Sequence, residues 1–242
     1  MKLFRIALIA LLAPCAALAN RTDDVQAGGG AVIGNVGMSI DFAGDSTLRN
    51  HTGSSHAIDL GFSYAKAKRK QDRDSGDQPI IFGGTVFPGS QGDIEWTSNI
   101  QLAHVGYRPR WWFGQSDFAI DAVIGAGWAG LGLKGEVNGI GASERFSNAG
   151  GVIGLGGMWR FASNTALQLR FLQFIGGKKE GVTTASRGDV SVTHALGKNF
   201  QIRGGLGFLT AYSARENADD NLLKSPVRAG GIGLLLGVDF VF

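Results

Sequence analysis

The chain has 242 residues, of which 39 are glycine and only 5 are proline, and its formal net charge is +3. This composition excludes collagen and argues against a flexible linker protein, and it suits crowded, strongly bent β-sheets in which glycine permits close backbone approach. A charge this close to neutral gives no electrostatic basis for binding nucleic acid.

The first residues have the pattern of a secretory signal peptide. Lys2 and Arg5 precede an apolar run over residues 6–13, and Ala17 and Ala19 form a small-x-small cleavage site. We therefore predict a cleaved signal peptide at 1–19 and a single outer-membrane barrel domain at 20–242. Cleavage removes the only cysteine, Cys15, and lowers the charge from +3 to +1 as Lys2 and Arg5 leave, so we expect no disulfide or thiol chemistry.

Beyond the leader, apolar and polar residues alternate with period two, which indicates β-strands with one apolar face. In chain order the segments are 30–42, 56–66, 94–107, 117–131, 149–161, 164–175, 187–196, 199–212 and 228–242. The last is the clearest, with an apolar face that runs uninterrupted from Ile232 to Phe242. Its eleven residues match the length that a tilted strand needs to cross a bilayer.

The polar face favours a membrane barrel over a soluble sandwich. A membrane barrel turns its apolar face to lipid and fills its lumen with polar groups, whereas unpaired charges in a soluble core would be costly. We therefore predict an all-β, transmembrane, antiparallel up-and-down barrel. In 94–107 the face with Ile94 and Trp96 should point outward. The predicted lumen charge network is Asp41, Asp59, Glu95, Asp121, Arg160, Arg170, Arg203 and Asp239.

The strand number is open between eight and ten. Nine strands would place the termini at opposite ends, whereas single-chain bacterial barrels have even counts. Residues 79–88 could supply a tenth strand, or 67–93 could form one long outer loop around eight. We favour ten, with short periplasmic turns at 161–164 and 196–199 and outer loops at 133–148, 176–186 and 213–227.

Three stretches resemble known outer-membrane barrels. Residues 237–242 (GVDFVF) are similar to the carboxy-terminal signal of such proteins, and 123–128 (VIGAGW) and 154–164 (GLGGMWRFASN) resemble strands and turns of small opacity-type and OmpA-like barrels. The resemblance implies a Gram-negative outer membrane, recognition of Phe240 and Phe242 by the barrel-assembly machinery, and contact with outer-membrane lipids and lipopolysaccharide. We also expect a monomer without a nucleic-acid partner.

No chemical motif is specific enough to assign a catalytic, cofactor or metal residue. The glycines at 125, 127 and 130 match a dinucleotide fingerprint in letters but lie inside a period-two segment, and His51 and His56 form a poor zinc pair. We expect a non-enzymatic barrel with a structural or adhesin-like role through its outer loops, which carry the charged residues 178–180 and 215–216. A narrow passive pore is the alternative, and a hydrolase acting on lipid A or peptides is the second alternative.

Overall fold

The computed structural model describes residues 25–43, 53–89, 92–113, 117–177, 181–214 and 226–242. The predicted signal peptide, His51 and the charged loop residues 178–180 and 215–216 lie outside these ranges. Within them, no helix has both the length and the apolar character that crossing a membrane would require.

Nearly all of the described chain is β-strand. Most strands extend beyond the ends of the period-two segments that the sequence predicts. The strands are β1 (Val25–Ala43), β2 (Ser54–Gln71), β3 (Ile80–Phe82), β4 (Thr85–Phe87), β5 (Ile94–Trp112), β6 (Phe118–Val137), β7 (Ile140–Ala162), β8 (Thr165–Gly176), β9 (Thr184–Ala195), β10 (Phe200–Ser213) and β11 (Val227–Val241). The predicted all-β barrel of eight to ten strands is thereby confirmed.

Nine strands of the described chain close into one barrel, in the order β1-β2-β5-β6-β7-β8-β9-β10-β11. Neighbours along the chain pair antiparallel, and β1 pairs with β11 in parallel, from Val25 opposite Val227 to Ser39 opposite Val241. An odd number of alternating strands requires one parallel seam, because the first and last strands run in the same direction.

The favoured count of ten strands is wrong. Residues 79–88 do not enter the barrel wall, and they form a separate two-stranded hairpin of β3 and β4. Each strand has only three residues, far fewer than the 9–11 that a membrane-crossing strand needs.

The connections divide between two ends of the barrel. The turn end carries the short β5–β6, β7–β8 and β9–β10 connections, the ten-residue β1–β2 connection and the C-terminal Phe242. The loop end carries the longer connections that follow β2, β8 and β10, the two-residue β6–β7 turn and the start of β1.

The expected outer loop at 133–148 is also wrong. The strands β6 and β7 continue through this stretch and meet at a two-residue turn, Asn138-Gly139, with φ of 49° and 80°. Positive φ at both positions is the geometry of the tight hairpin turn that asparagine and glycine favour. The stretch reads as polar because its outward residues, such as Ser143 and Arg145, are exposed, while Ala142 and Phe146 point inward and are buried.

Candidate functional site: a barrel with two opposite halves

The interior near the turn end is a charged compartment, which we define by Asp59, Asp121, Asp189, Asp239 and the arginines that meet them. Asp59 on β2 is held from β5 by two groups: His104 Nε2 lies 3.0 Å from one carboxylate oxygen, and Arg108 lies 3.1 Å from the other. Arg108 also donates to the hydroxyl of Ser39 on β1. Three adjacent strands are therefore tied together across the inside of the barrel wall.

A second set of contacts ties β9, β10, β11 and β1 together. Arg187 donates to Asp189 at 2.7 Å, and Arg203 donates to Asp239 at 2.6 Å and to Asn35 Oδ1 at 2.9 Å. Asp189 and the side chain of Arg203 are fully buried. Buried charges are costly unless they are paired and hydrogen-bonded. Each charge of this set has an ionic partner, but Arg187 Nε and the Nε and Nη1 atoms of Arg203 are buried without a hydrogen bond.

The centre of the compartment is tightly filled. Arg110 and Asp121 are 3.0 Å apart, and Arg170 lies within the electrostatic reach of Asp59, Asp121, Asp189 and Asp239. The space left between these groups is a cavity of about 20 Å³, enough for about one water molecule. The compartment therefore resembles a packed core of ion pairs more than an open channel.

The structure brings together five of the eight residues predicted for the lumen network: Asp59, Asp121, Arg170, Arg203 and Asp239. Arg160 is at the turn-end rim, where it pairs with Asp117 at 2.7 Å.

The other two predicted members, Asp41 and Glu95, lie near opposite ends of the barrel. Asp41 is half-buried near the turn end, where its backbone N–H donates to the carbonyl of Phe242. Glu95 is a correction, because it lies on the outer surface with 62% of its side chain exposed, 3.4 Å from Lys68.

Three arginines of the compartment, Arg108, Arg110 and Arg187, were not predicted. Two of them lie beyond residue 107, where the sequence pattern places the end of a segment, although β5 continues to Trp112. The third, Arg187, is the first residue of the predicted segment 187–196 and shares the phase of Asp189 on the polar face of that segment. In each case the signal was present, because these arginines keep the inward phase of their strand.

The interior near the loop end has the opposite character. It is an apolar compartment of fully buried side chains from most strands of the barrel, with Trp96 and Ile100 of β5, Leu131 of β6, Phe174 of β8 and Leu209 of β10 among them. Such a core excludes water in the same way as the core of a soluble protein.

The β3–β4 hairpin, which we call the lid hairpin, covers this apolar compartment. Its residues Ile80, Phe82 and Phe87 are fully buried. The rings of Phe82 and Phe87 meet Trp96 edge-on, with centroids 5.2 and 5.9 Å away. Edge-on aromatic contacts add to the free energy gained by burial, so the lid hairpin is part of the core.

Polar contacts anchor the connection that carries the lid hairpin. Trp96 Nε1 donates to Gln71 Oε1 at 2.7 Å, and the backbone N–H of Arg73 donates to Asp93 at 3.2 Å. Lys70 pairs with the same Asp93, and its hydrogen bond holds the pKa of the Asp93 carboxyl below its usual range. The connection is thereby fixed at both its start and its end.

The outer surface has the opposite polarity to the interior in each half of the barrel. Around the charged compartment runs a continuous apolar belt, which includes residues 118–128 of β6, 153–161 of β7 and 232–242 of β11. Its most exposed members are Val32, Phe42, Ile124, Leu155, Leu206, Leu234, Leu236 and Phe242. Around the apolar compartment the outer surface is instead polar. Its exposed residues include Lys66, Lys68, Lys70, Glu95, Lys134, Glu136 and Arg145.

This change of polarity explains a correction in β5. The residues Ile94, Trp96, Ile100 and Leu102 were expected to face outward, but they point inward and are buried. Further along the same strand the phase is unchanged, yet the outward residues become Val105, Tyr107 and Trp111. The apolar side of β5 therefore changes from inner to outer at about His104.

The two described histidines outside the charged compartment, His56 and His194, contact aromatic and hydroxyl side chains. His56 stacks on Tyr107 and meets its hydroxyl at 2.6 Å, and His194 Nδ1 lies 2.9 Å from the Thr165 hydroxyl. No cluster of three metal-binding side chains occurs in the described ranges. Gly125 lies mid-strand in β6, where a side chain would collide with the carbonyl of Val105, so the fingerprint-like glycines serve sheet packing.

No protein family, no characterised protein and no solved structure gives a match to this chain.

Proposed function

We propose that this chain is an outer-membrane β-barrel with a structural or surface-interaction role, closed to the passage of solutes. The observation that carries this proposal is the apolar belt at the level of the charged compartment. An apolar exterior around a polar interior is the arrangement of a barrel in lipid, and large exposed apolar patches are rare on soluble monomers. The belt spans 9–11 residues on its clearest strands, the length that crosses a bilayer.

The connections support one orientation. Membrane barrels have short periplasmic turns and longer outer loops. Three of the four connections at the turn end have at most five residues, and three of the four at the loop end have at least seven. The turn end would therefore face the periplasm and the loop end the outside. Phe240 and Phe242 would then lie at the periplasmic edge of the belt, on its outer face. This position suits a signal read by the barrel-assembly machinery, which the resemblance to opacity-type and OmpA-like barrels implies. The nine strands depart from the even number of those barrels.

The interior favours a closed barrel over the narrow-pore alternative. A small barrel is just wide enough for its own side chains to fill. Here the charged compartment leaves a cavity of about 20 Å³. The apolar compartment and the lid hairpin follow the charged compartment along the barrel interior. A solute would have to separate ion pairs and then cross an apolar core.

The role would then depend on the water-exposed loop end. The lid hairpin is fixed on this half, because its buried side chains join the apolar core and Trp96 Nε1 donates to Gln71. A rigid scaffold that presents surface residues is a common basis for recognition. The partner could be another envelope component or a host surface.

The experiment is reconstitution of residues 20–242 in lipid vesicles, followed by gel mobility with and without boiling and by planar-bilayer recording. We expect a heat-modifiable band and no conductance steps. Reproducible steps of one size would contradict the closed barrel and favour the pore. Failure to enter the bilayer under conditions where the protein is β-structured would contradict the membrane barrel itself.

A further inference from the structure

A trough runs along the outer face of β1, near the loop-end edge of the belt. Its floor is formed by the outward residues Gly30, Val32 and Gly34. Val32 is 60% exposed, and a methyl group added at either glycine would meet no atom within 4 Å. Side chains of β2 and β11 form its walls, with Tyr64 and Lys66 on one side and Leu234 on the other. The space is about 890 Å³. We call it the β1 trough.

The β1 trough continues into a second groove. This groove shares Gly34 and Tyr64 with the trough and has a volume of about 730 Å³. It crosses β11 and reaches Ile202 and Gly204 on β10, where an added methyl group at Gly204 would again meet open space. The two spaces form one long, mostly apolar path along the belt.

The loop-end edge of the trough is positively charged. The outer faces of the described β1, β2 and β11 carry Lys66, Lys68, Lys70 and Arg228 and no carboxylate. Lys70 pairs with Asp93, and Lys68 lies 3.4 Å from Glu95 of β5 with both side chains more than 60% exposed. Lys66 forms no ion pair with a described residue. On β6 the exposed Lys134 is instead matched by Glu136 at 2.9 Å.

We infer that the β1 trough binds an anionic membrane lipid whose net negative charge is on its phosphate, with an acyl chain along the floor and the phosphate at Lys66. This inference rests on the proposed function, since it needs the belt to lie in lipid. An apolar path that ends at an unmatched ammonium group fits both parts of such a lipid, because lysine binds phosphate as a point charge. The phosphate would come from the leaflet on the loop-end side.

A second copy of the chain fits the trough less well. A symmetric dimer places the same patch of both copies face to face. The lysines at the trough edge would then lie near their own equivalents, and like charges in an interface are unfavourable. A lipid phosphate instead neutralises them.

The test uses two variants of the trough and two matched controls. Gly34→Leu fills the floor, and its control is Gly151→Leu on the outer face of β7, where an added methyl group also meets no atom within 4 Å. Lys66→Gln removes the unmatched charge, and its control is Lys134→Gln, which removes an exposed lysine of β6. All four positions are on the outer wall, so the barrel interior is unchanged.

The measurement is electron spin resonance of spin-labelled phosphatidylglycerol and phosphatidylcholine around the intact barrel in phosphatidylcholine vesicles. We expect a several-fold preference for phosphatidylglycerol at a small number of sites. Lys66→Gln should abolish the preference. Gly34→Leu should remove the few sites that prefer phosphatidylglycerol and leave the general shell of immobilised lipid in place, and both controls should behave as the unaltered protein.

Three outcomes would overturn the inference. They are equal binding of both lipids, an equal loss in Lys66→Gln and Lys134→Gln, and a dimer cross-linked through Gly34→Cys. All three presuppose an inserted barrel with a normal shell of lipid. An absence of any immobilised lipid would instead show that the belt is not in a bilayer, so failure of the proposed function is distinguishable.

Discussion

The two halves of this barrel are built from the same strands but reverse the relation between inside and outside. Near the turn end the outer surface is apolar and the interior holds ion pairs, whereas near the loop end the outer surface is charged and the interior holds Trp96 and its neighbours. The first half has the arrangement expected in lipid, and the second has that of a soluble protein. A single strand can therefore suit lipid in one half and water in the other, provided that its apolar residues change from the outer side to the inner side along its length.

The strand β6 shows this change most simply. Its outward residues run from Phe118 and Ile124 to Lys134 and Glu136, while its inward residues run from Asp121 to Leu131. The backbone phase is constant, so only the residue types change. The position of the change differs little from strand to strand, which gives the belt a defined edge.

The largest effect should come from Asp189→Ala in the charged half. This change removes the buried carboxylate that accepts a hydrogen bond from Arg187. The same carboxylate also lies 3.9 Å from Arg203. Breaking a buried pair leaves an uncompensated charge and costs about 3–5 kcal/mol of unfolding free energy. Urea unfolding in vesicles measures it, with Asn as the milder replacement. A stability equal to that of the unaltered protein would mean that water fills this half.

Trp96→Ala should damage the apolar half by a similar or smaller amount. Removing a buried tryptophan costs about 3–5 kcal/mol, and the lower part of this range applies if the lid hairpin moves in to fill the space. Proteolysis within residues 79–88 should become faster at the same time. Loss of stability without faster proteolysis would show that the lid hairpin does not depend on the core.

Ile124→Lys should distinguish the apolar belt from the polar outer surface near the loop end. A lysine near the middle of a lipid-facing strand costs about 2–4 kcal/mol, and Ile124 is 63% exposed on the belt. The matched change is Glu136→Lys on the same face of the same strand, where water solvates the new charge. Equal effects in vesicle unfolding would contradict the difference between the halves.

Lys134→Gln should have the smallest effect. The pair with Glu136 spans 2.9 Å, but both side chains are more than half exposed, and solvent screens such pairs. The urea midpoint should therefore be unchanged within error. A clear loss of stability would indicate that the loop end is not in water.

Much of the fold was predictable from the sequence, because the period-two alternation marks strands in either solvent. The sequence pattern does not say which side faces inward, since an apolar face can meet lipid or a core. This ambiguity explains the errors at Ile94 and Glu95, where an apolar side was assigned to the exterior along the whole strand. The prediction of a tenth barrel strand was wrong for another reason. The buried lid hairpin has the same apolar composition as a short strand.

The interior network was predictable only in part. Residues well inside a segment, such as Asp59, Asp121 and Arg203, kept a recognisable inward phase. Arg110 and Arg187 lie where segments were taken to end or begin, and sequence spacing could not show which charges would meet. The trough was not predictable, because it depends on which strands lie beside β1 across the parallel seam.

The central claim is that the belt lies in lipid and the loop-end half in water. The most direct test is a series of single cysteines along the outer face of β6, at Ile120, Ile124, Lys134 and Glu136, labelled with a polarity-sensitive fluorophore in vesicles of brominated lipid. The only native cysteine, Cys15, lies in the predicted leader. We predict strong quenching and blue-shifted emission at 120 and 124 and neither at 134 and 136. Equal water exposure at all four positions would contradict the account.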